Sequence, residues 1–412
     1  MGGGLARRGG SMQDRFGAEL LDRFRACGGV ADSWYSAERF AIGYRRSRGG
    51  AVSWAFLGTL YGECAGLAGD RRDELLARYV ARMTEPVAVP TRWAEAAPLL
   101  RPLLYGTAQG RWVPGAPRRP EAELLRRPAL PLLDEVVVVD LPTTIGYVST
   151  DLVASWGVSG REVFETAAAN LAAVPGDQAA GQPSDAPSLL RFVDDGSTYW
   201  VSRLLLDGWL AGFEERLGAR PVAFAPDRDC LLVVPDGPRL ADAFDLVAAE
   251  FRGASRPVSP AGYTVDDAGR VVPYRPPLGH PAHHAAMRAD RWLAAEAYDV
   301  QADLLRAHWP VAQQVSVASY LLAEPVDGAA PSVSTWRQDV PTLLPETDQV
   351  ALVGADRRQS WLVRWADLVR AVAPLRVPGL APPRFRVQQW PQGEQLRALL
   401  AGAVHQTDGA HG

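Results

Sequence analysis

Apolar positions recur at helical spacing over residues 12–26, where Phe16, Leu20, Leu21 and Phe24 form one stripe that Gly28-Gly29 stops. The pattern then predicts a short strand near 40–44 and two helices, about 53–67 and 71–84. Gly62, Gly66 and Gly69 weaken the first of those helices, because glycine gives up the most backbone freedom on becoming helical. Residues 12–105 therefore read as a small N-terminal α+β unit. Pro, Gly and Arg crowd residues 106–131, which marks a linker.

Four consecutive valines at 136–139 predict a buried strand, and a turn at Pro142-Thr143-Thr144 leads to a second strand over 145–149. Ser159 and Glu162 have the S-x-x-E spacing of a capping box, and Val163, Phe164, Ala167 and Leu171 continue at helical spacing, which predicts a helix over 160–173. A polar excursion over 175–188 precedes a strand at 190–193, an acidic turn at Asp194-Asp195-Gly196, and a strand or helix through 200–206. A helix then runs to Leu217 and ends at Gly218. Residues 221–225 and 231–234 flank Pro226-Asp227-Arg228-Asp229 as a hairpin, and a helix over 238–252 closes the unit. Beyond it the pattern predicts a long helix at 282–308, strands near 315–322, 350–354 and 384–389, and a helix at 393–403.

The expected architecture is α+β: the N-terminal unit, a central mixed sheet with flanking helices over 132–275, and a C-terminal α+β unit over 276–404. Pro226-x-x-Asp229-x-Leu-Leu-Val-Val echoes Pro345-x-x-Asp348-x-Val-Ala-Leu-Val. The echo admits two readings, a diverged repeat in the C-terminal unit or turn chemistry that both sites share.

The central unit resembles the YtpQ-like family, a bacterial domain of unknown function. The residues that carry the resemblance are Tyr147-Val148, Asn170-Leu171, Asp194-Asp195-Gly196, Ser202-Arg203-Leu204-Leu205 and the run AFAPDRDCLLVV over 223–234. It covers about 132–275, with residues after 276 as an extension. The resemblance implies a related fold and carries over no catalytic residue. The Asp-rich turn at 194–198 is longer here than the family's tighter form.

Composition removes whole classes of chemistry. The chain has 412 residues and no lysine, so all 43 basic residues are arginine. A GC-rich genome accounts for this bias, as it does for the single asparagine (Asn170) and the two isoleucines (Ile42 and Ile145). Without lysine there is no Schiff base, no resident pyridoxal phosphate, no P-loop lysine, no kinase lysine and no Ser–Lys dyad. Neither a G-x-S-x-G elbow nor a G-x-G-x-x-G turn after a strand occurs. Cys27, Cys64 and Cys230 are far apart and read as small core residues in a reducing compartment.

With 47 acidic residues the net charge is −4, which gives no global attraction to phosphate. The arginine clusters at 45–48 and 118–127 lack interleaved aromatics, so nucleic acid is not an expected partner. The N-terminal tail has no apolar h-region, and no stretch is long and apolar enough to span a bilayer, so the expectation is a soluble cytoplasmic protein. Thirteen tryptophans are a surplus that keeps a protein partner in view, because Trp is enriched both in cores and at interfaces.

Three groups of residues are candidates for chemistry. Asp194, Asp195, Asp227 and Asp229 are able to hold a cation or to act as acid and base, and the competing reading is that they make hairpin-turn hydrogen bonds. Arg203, within the apolar run 201–206, is either an anion ligand or an ion-pair partner of Asp134, Asp140 or Asp229. His280 and His284 are four apart, with Pro281 at the first helical position and His280 at the cap. Such spacing suits a metal, but the catalytic glutamate of H-E-x-x-H is missing. No cofactor is implied. The expected function is a non-catalytic binding or regulatory protein. The alternative is a hydrolase or phosphate-binding enzyme that uses the four aspartates and Arg203.

Overall fold

The computed structural model describes residues 12–37, 40–45, 53–85, 89–116, 123–141, 144–175, 189–194, 199–254, 256–309, 315–323, 331–355 and 359–406. It is an α+β protein that divides into two compact units, one of Met1–Thr91 with Val139–Gly146, the other of Arg92–Val138 with Tyr147–Gly412. Among the described residues no helix is long and apolar enough to cross a membrane.

In the first unit, α1 (Met12–Ala26) lies against an antiparallel sheet of β1 (Asp32–Ser36), β2 (Ala41–Arg45) and β3 (Ser53–Phe56), followed by α2 (Gly58–Glu63) and α3 (Asp70–Thr84). The predicted stripe does form the core: Phe16, Leu20 and Phe24 are buried with Ile42, Tyr44, Ala55, Leu57, Leu60, Leu76 and Val80. Gly17 is required by close approach, since a Cβ there would lie 2.2 Å from the Tyr35 ring. Arg72 grips Glu19 with two hydrogen bonds, 2.7 and 2.6 Å, which ties α3 to α1. The helix expected over 53–67 is corrected to strand β3 and the short α2. The segment is extended because β3 pairs with β2, and Trp54 meets Trp34 edge-on at 5.7 Å over Gly43 of the strand between them. Cys27 is also corrected: it is exposed, and only Cys64 and Cys230 are buried.

After Thr91 the chain runs α4 (Trp93–Ala96), β4 (Leu100–Gly106), β5 (Arg126–Leu130), β6 (Leu133–Leu141), β7 (Thr144–Tyr147), α5 (Thr150–Trp156), α6 (Gly160–Ala173) and β8 (Leu190–Val193), all in the second unit except Val139–Gly146. There follow α7 (Glu214–Leu217), β9 (Pro221–Asp227), β10 (Cys230–Pro235), α8 (Leu240–Gly253), β11 (Pro257–Val265), β12 (Val271–Pro273) and α9 (His283–His308). The remainder is β13 (Ser316–Val317), β14 (Leu321–Leu322), β15 (Ser332–Arg337), β16 (Thr342–Pro345), β17 (Gln349–Val353), β18 (Ser360–Arg364), α10 (Trp365–Val372), β19 (Leu375–Arg376), β20 (Arg384–Val387), α11 (Gly393–Leu400) and β21 (Val404–Gln406). Residues 106–131, read as a linker, include β5, which pairs antiparallel with β6. The reason is ionic: Arg126 donates to Asp134 at 3.2 Å and Arg127 to Glu135 at 2.6 Å, both across that pair.

The five-stranded sheet β12-β11-β9-β10-β8 is covered on both faces, which explains why β9 and β10 read as continuous apolar runs. Ala223, Ala225, Leu231 and Val233 pack with Trp200, Leu204, Trp209 and Phe213, while Val222, Phe224, Leu232 and Val234 face Phe244, Val247, Ala286 and Ala289. The two sets alternate along each strand, as period-2 geometry requires. The sequence predicts a mixed sheet here, yet every described pair in it is antiparallel. Parallel pairs occur in the two later sheets, β13-β16-β20-β19 and β14-β15-β17-β18-β21. The Pro226 and Pro345 echo does not extend to topology. β9 and β10 are hairpin partners, whereas β16 and β17 belong to different sheets.

Candidate functional site

Asp227 and Asp229 flank the β9–β10 turn, and Asp194 follows β8, whose Val193 is in register with Cys230. The topology therefore brings three of the predicted aspartates to one end of the sheet; Asp195 lies outside the described residues. Each of the three holds a structural bond. Asp227 accepts the Asp229 amide on Oδ1 and the Arg256 amide on Oδ2, both at 3.0 Å. Asp229 pairs with the Arg256 guanidinium, and its carbonyl accepts the Asp194 amide at 2.7 Å. Asp194 Oδ2 accepts the Trp200 amide at 3.3 Å. These are turn and loop bonds, the competing reading of the same residues.

Arg203 is 2% exposed, and its partners differ from those predicted. Its Nη2 donates to the carbonyls of Val174 and Pro175 at 3.0 and 3.3 Å, and its guanidinium lies 5.0 Å from the Trp200 ring centre. Burial lowers its proton affinity, and the Asp194 carboxylate works the other way. Asp134 is taken by Arg111 (2.6 Å) and Arg126 (3.2 Å), and Asp229 by Arg256, so the predicted ion pairs of Arg203 with Asp134 or Asp229 are corrected. Next to this cluster Arg228 Nη1 lies 3.5 Å from the Tyr147 hydroxyl.

The histidines do not converge. Helix α9 begins at His283 with Ala282 as its cap residue, so neither His280 nor Pro281 holds the predicted position. His280 Nδ1 accepts the Ala282 amide at 3.1 Å, and its Nε2 faces Asp236 at 3.8 Å. Asp236 also accepts the Tyr274 hydroxyl at 2.7 Å, while His284 meets the edge of the His283 ring. Among the described residues no group of three or more His, Cys, Asp or Glu side chains is placed to hold a metal ion.

A site absent from the sequence reading lies beside α9: a cleft of about 270 Å³ lined by Met287, Asp290, Arg291, Tyr320, Ser332, Glu346, Thr347, Asp348 and Trp365. Met287, Asp290 and Arg291 have i, i+3, i+4 spacing and so share one helix face, which is the signal the sequence carries. The opposite wall comes from the ends of β15, β16 and β17. Arg291 Nε donates to Asp348 Oδ2 at 2.8 Å, and the same oxygen accepts the Ser332 amide at 2.7 Å and the Ser332 hydroxyl at 2.8 Å. Burial opposes the charge of Asp348, but the bonds from Arg291 and Ser332 outweigh it and hold the carboxyl below its usual range. Tyr320 stacks on Tyr298 with ring centres 5.2 Å apart, and Trp365 meets Phe385 edge-on at 5.1 Å. Asp290 differs from Asp348: burial raises its pKa, Arg275 and Arg291 only partly offset this, and no hydrogen bond or ion pair from the described residues reaches its carboxylate.

Comparison with protein-family models, with curated proteins and with solved structures gives no match.

Proposed function

We propose that the protein is a non-catalytic binding module. The observation that supports this most directly is the use of Asp227: both carboxylate oxygens accept backbone amides at 3.0 Å, leaving it poorly placed to take a proton from a substrate. Asp229 and Asp194 hold bonds of the same kind. The YtpQ-like resemblance of residues 132–275 accompanies this reading as a proposed relationship of fold. So does the proposal that the chain works in the cytoplasm with a protein partner.

The test is a paired measurement on Asp227→Asn. On the binding reading the full-length protein turns over neither phosphoesters nor esters. The variant then loses about 1–3 kcal/mol of stability in urea, the usual cost of weakening part-buried hydrogen bonds to a charged acceptor. Turnover that disappears in Asp227→Asn while the urea midpoint stays put would overturn it.

One observation favours a second reading, capture of a phosphate-like anion. The Arg228 guanidinium meets the Tyr147 hydroxyl at 3.5 Å and has no ion pair among the described residues, and it adds to the burial of neighbouring Arg256 in lowering the proton affinity of Arg256. Inorganic phosphate would then bind the parent protein and not Arg228→Met; equal binding by both removes this reading.

A further inference from the structure

We propose that the cleft between α9 and the ends of β15–β17 binds a small organic cation, a primary amine or guanidinium carried on a short apolar body. This deepens the binding reading above and rests on it.

The charge of the lining favours a cation. Asp290, Glu346 and Asp348 face a single guanidinium, Arg291, which is already spent on Asp348. Arg275 lies close enough to act on Asp290 electrostatically, but neither arginine comes within ion-pair distance of it. Among the described residues no ion pair reaches Glu346 either, so both carboxylates face the cleft without a cation of their own. A partly buried carboxylate in that position costs free energy that a docked ammonium or guanidinium returns. The raised pKa of Asp290 is the same cost seen from the proton's side.

The shape of the cleft favours an apolar body on that cation. Tyr320 and Trp365 are held by their own aromatic partners, Tyr298 stacked and Phe385 edge-on, so their rings are fixed before a ligand arrives. Fixed aromatic faces beside carboxylates suit a cation with a hydrocarbon stem, and Met287 adds an adaptable apolar contact. A volume of about 270 Å³ lies just below the usual range for ligand sites, which restricts the occupant to a small molecule. A metal ion fits less well, because the three carboxylates do not converge as a chelating group.

Isothermal titration of the full-length protein with agmatine and phenethylamine tests the proposal, with phenylacetate and calcium chloride as controls and Trp fluorescence as a second readout. Saturable binding of at least one amine is expected, with none of phenylacetate. Asp290→Asn should weaken that binding about tenfold to a hundredfold, the usual loss for one charge-assisted contact. Glu346→Gln, at an exposed position, is a second variant that should weaken it without touching the fold. An unchanged thermal midpoint in either variant shows that the loss is local. No saturable amine binding into the millimolar range overturns the proposal, as does equal affinity in the parent and both variants. Calcium binding lost in Asp290→Asn, without amine binding, overturns it in favour of a metal. None of these results concerns turnover, so the binding reading fails separately, through the Asp227→Asn assay.

Discussion

Asp134 and Glu135 are neighbours in β6, both 3% exposed, yet their surroundings differ because alternate strand residues face opposite ways. Asp134 accepts from Thr107, Arg111 and Arg126, whereas Glu135 meets Arg127 at 2.6 Å through Oε2 and its Oε1 is buried without a hydrogen bond. Burial raises the Glu135 pKa, and Arg127 only partly opposes it. The folded state therefore holds this proton more tightly than the unfolded chain does. The stabilisation is complete below the ordinary carboxylate value and is lost as pH rises through the raised one. Glu135→Gln imitates the protonated form, so urea unfolding at about pH 4 and pH 7 should show a smaller fall in stability for the variant than for the parent. An identical fall in both proteins would contradict this account. The aspartates of the β9–β10 turn were legible in sequence because Asp in turns follows local rules. Asp290 was not, because its isolation depends on where Arg275 and Arg291 end up.

Helix α6 shows how far local chemistry reaches at the scale of elements. Ser159 Oγ accepts the Glu162 amide at 3.2 Å, as the S-x-x-E spacing predicts, and Val163, Phe164, Ala167 and Leu171 are buried. Ser159→Ala should lower stability by about 1 kcal/mol, measured as a shift in urea midpoint, and Ser159→Asp should restore most of it. Helices α1, α3, α8 and α9 and the β9–β10 hairpin fall close to their predicted bounds for the same reason, a clear period or a clear stop signal. Strand β11 was invisible although it joins β9 to β12. Pro257 and Pro260 break its pattern, and the sheet accommodates them with a register shift between Ser259 and Gly262. A side chain at Gly262 would come within 3.1 Å of Phe244 and 3.2 Å of Phe224, a constraint set entirely by residues distant in sequence.

For the whole molecule the two compact units carry separate signatures. In the second, Arg384 is fully buried and donates to Gln301 Oε1 (2.7 Å) and to the carbonyls of Ala318 (2.7 Å), Leu343 (3.2 Å) and Tyr298 (3.2 Å). Burial lowers its pKa to about 10, so it stays charged at neutral pH, solvated by peptide dipoles in place of water. It thereby joins α9 to β16, β20 and the segment after β13. Arg384→Met should destabilise the second unit by at least about 1–3 kcal/mol, the cost of one buried acceptor left without a donor. Gly17→Ala should cost the first unit a similar amount, about 1–3 kcal/mol by overpacking against Tyr35. Calorimetry should show two transitions, with Gly17→Ala lowering one and Arg384→Met the other. If both variants move a single common transition, the two units unfold as one.

Local rules in the amino-acid order were enough to set the α+β class, the long helices, the hairpin and the exclusion of lysine chemistry, since periodicity, caps, turns and composition act over a few residues. Folding alone decided that β5 pairs with β6, that Arg203 rests on backbone carbonyls, and that Arg384 is a buried cation. It also decided that Met287, Asp290 and Arg291 meet Tyr320, Asp348 and Trp365 around one cleft. Partner choice among charges and strands is a contest between residues tens of positions apart. Its outcome is set by burial and distance, quantities that exist only once the chain has packed.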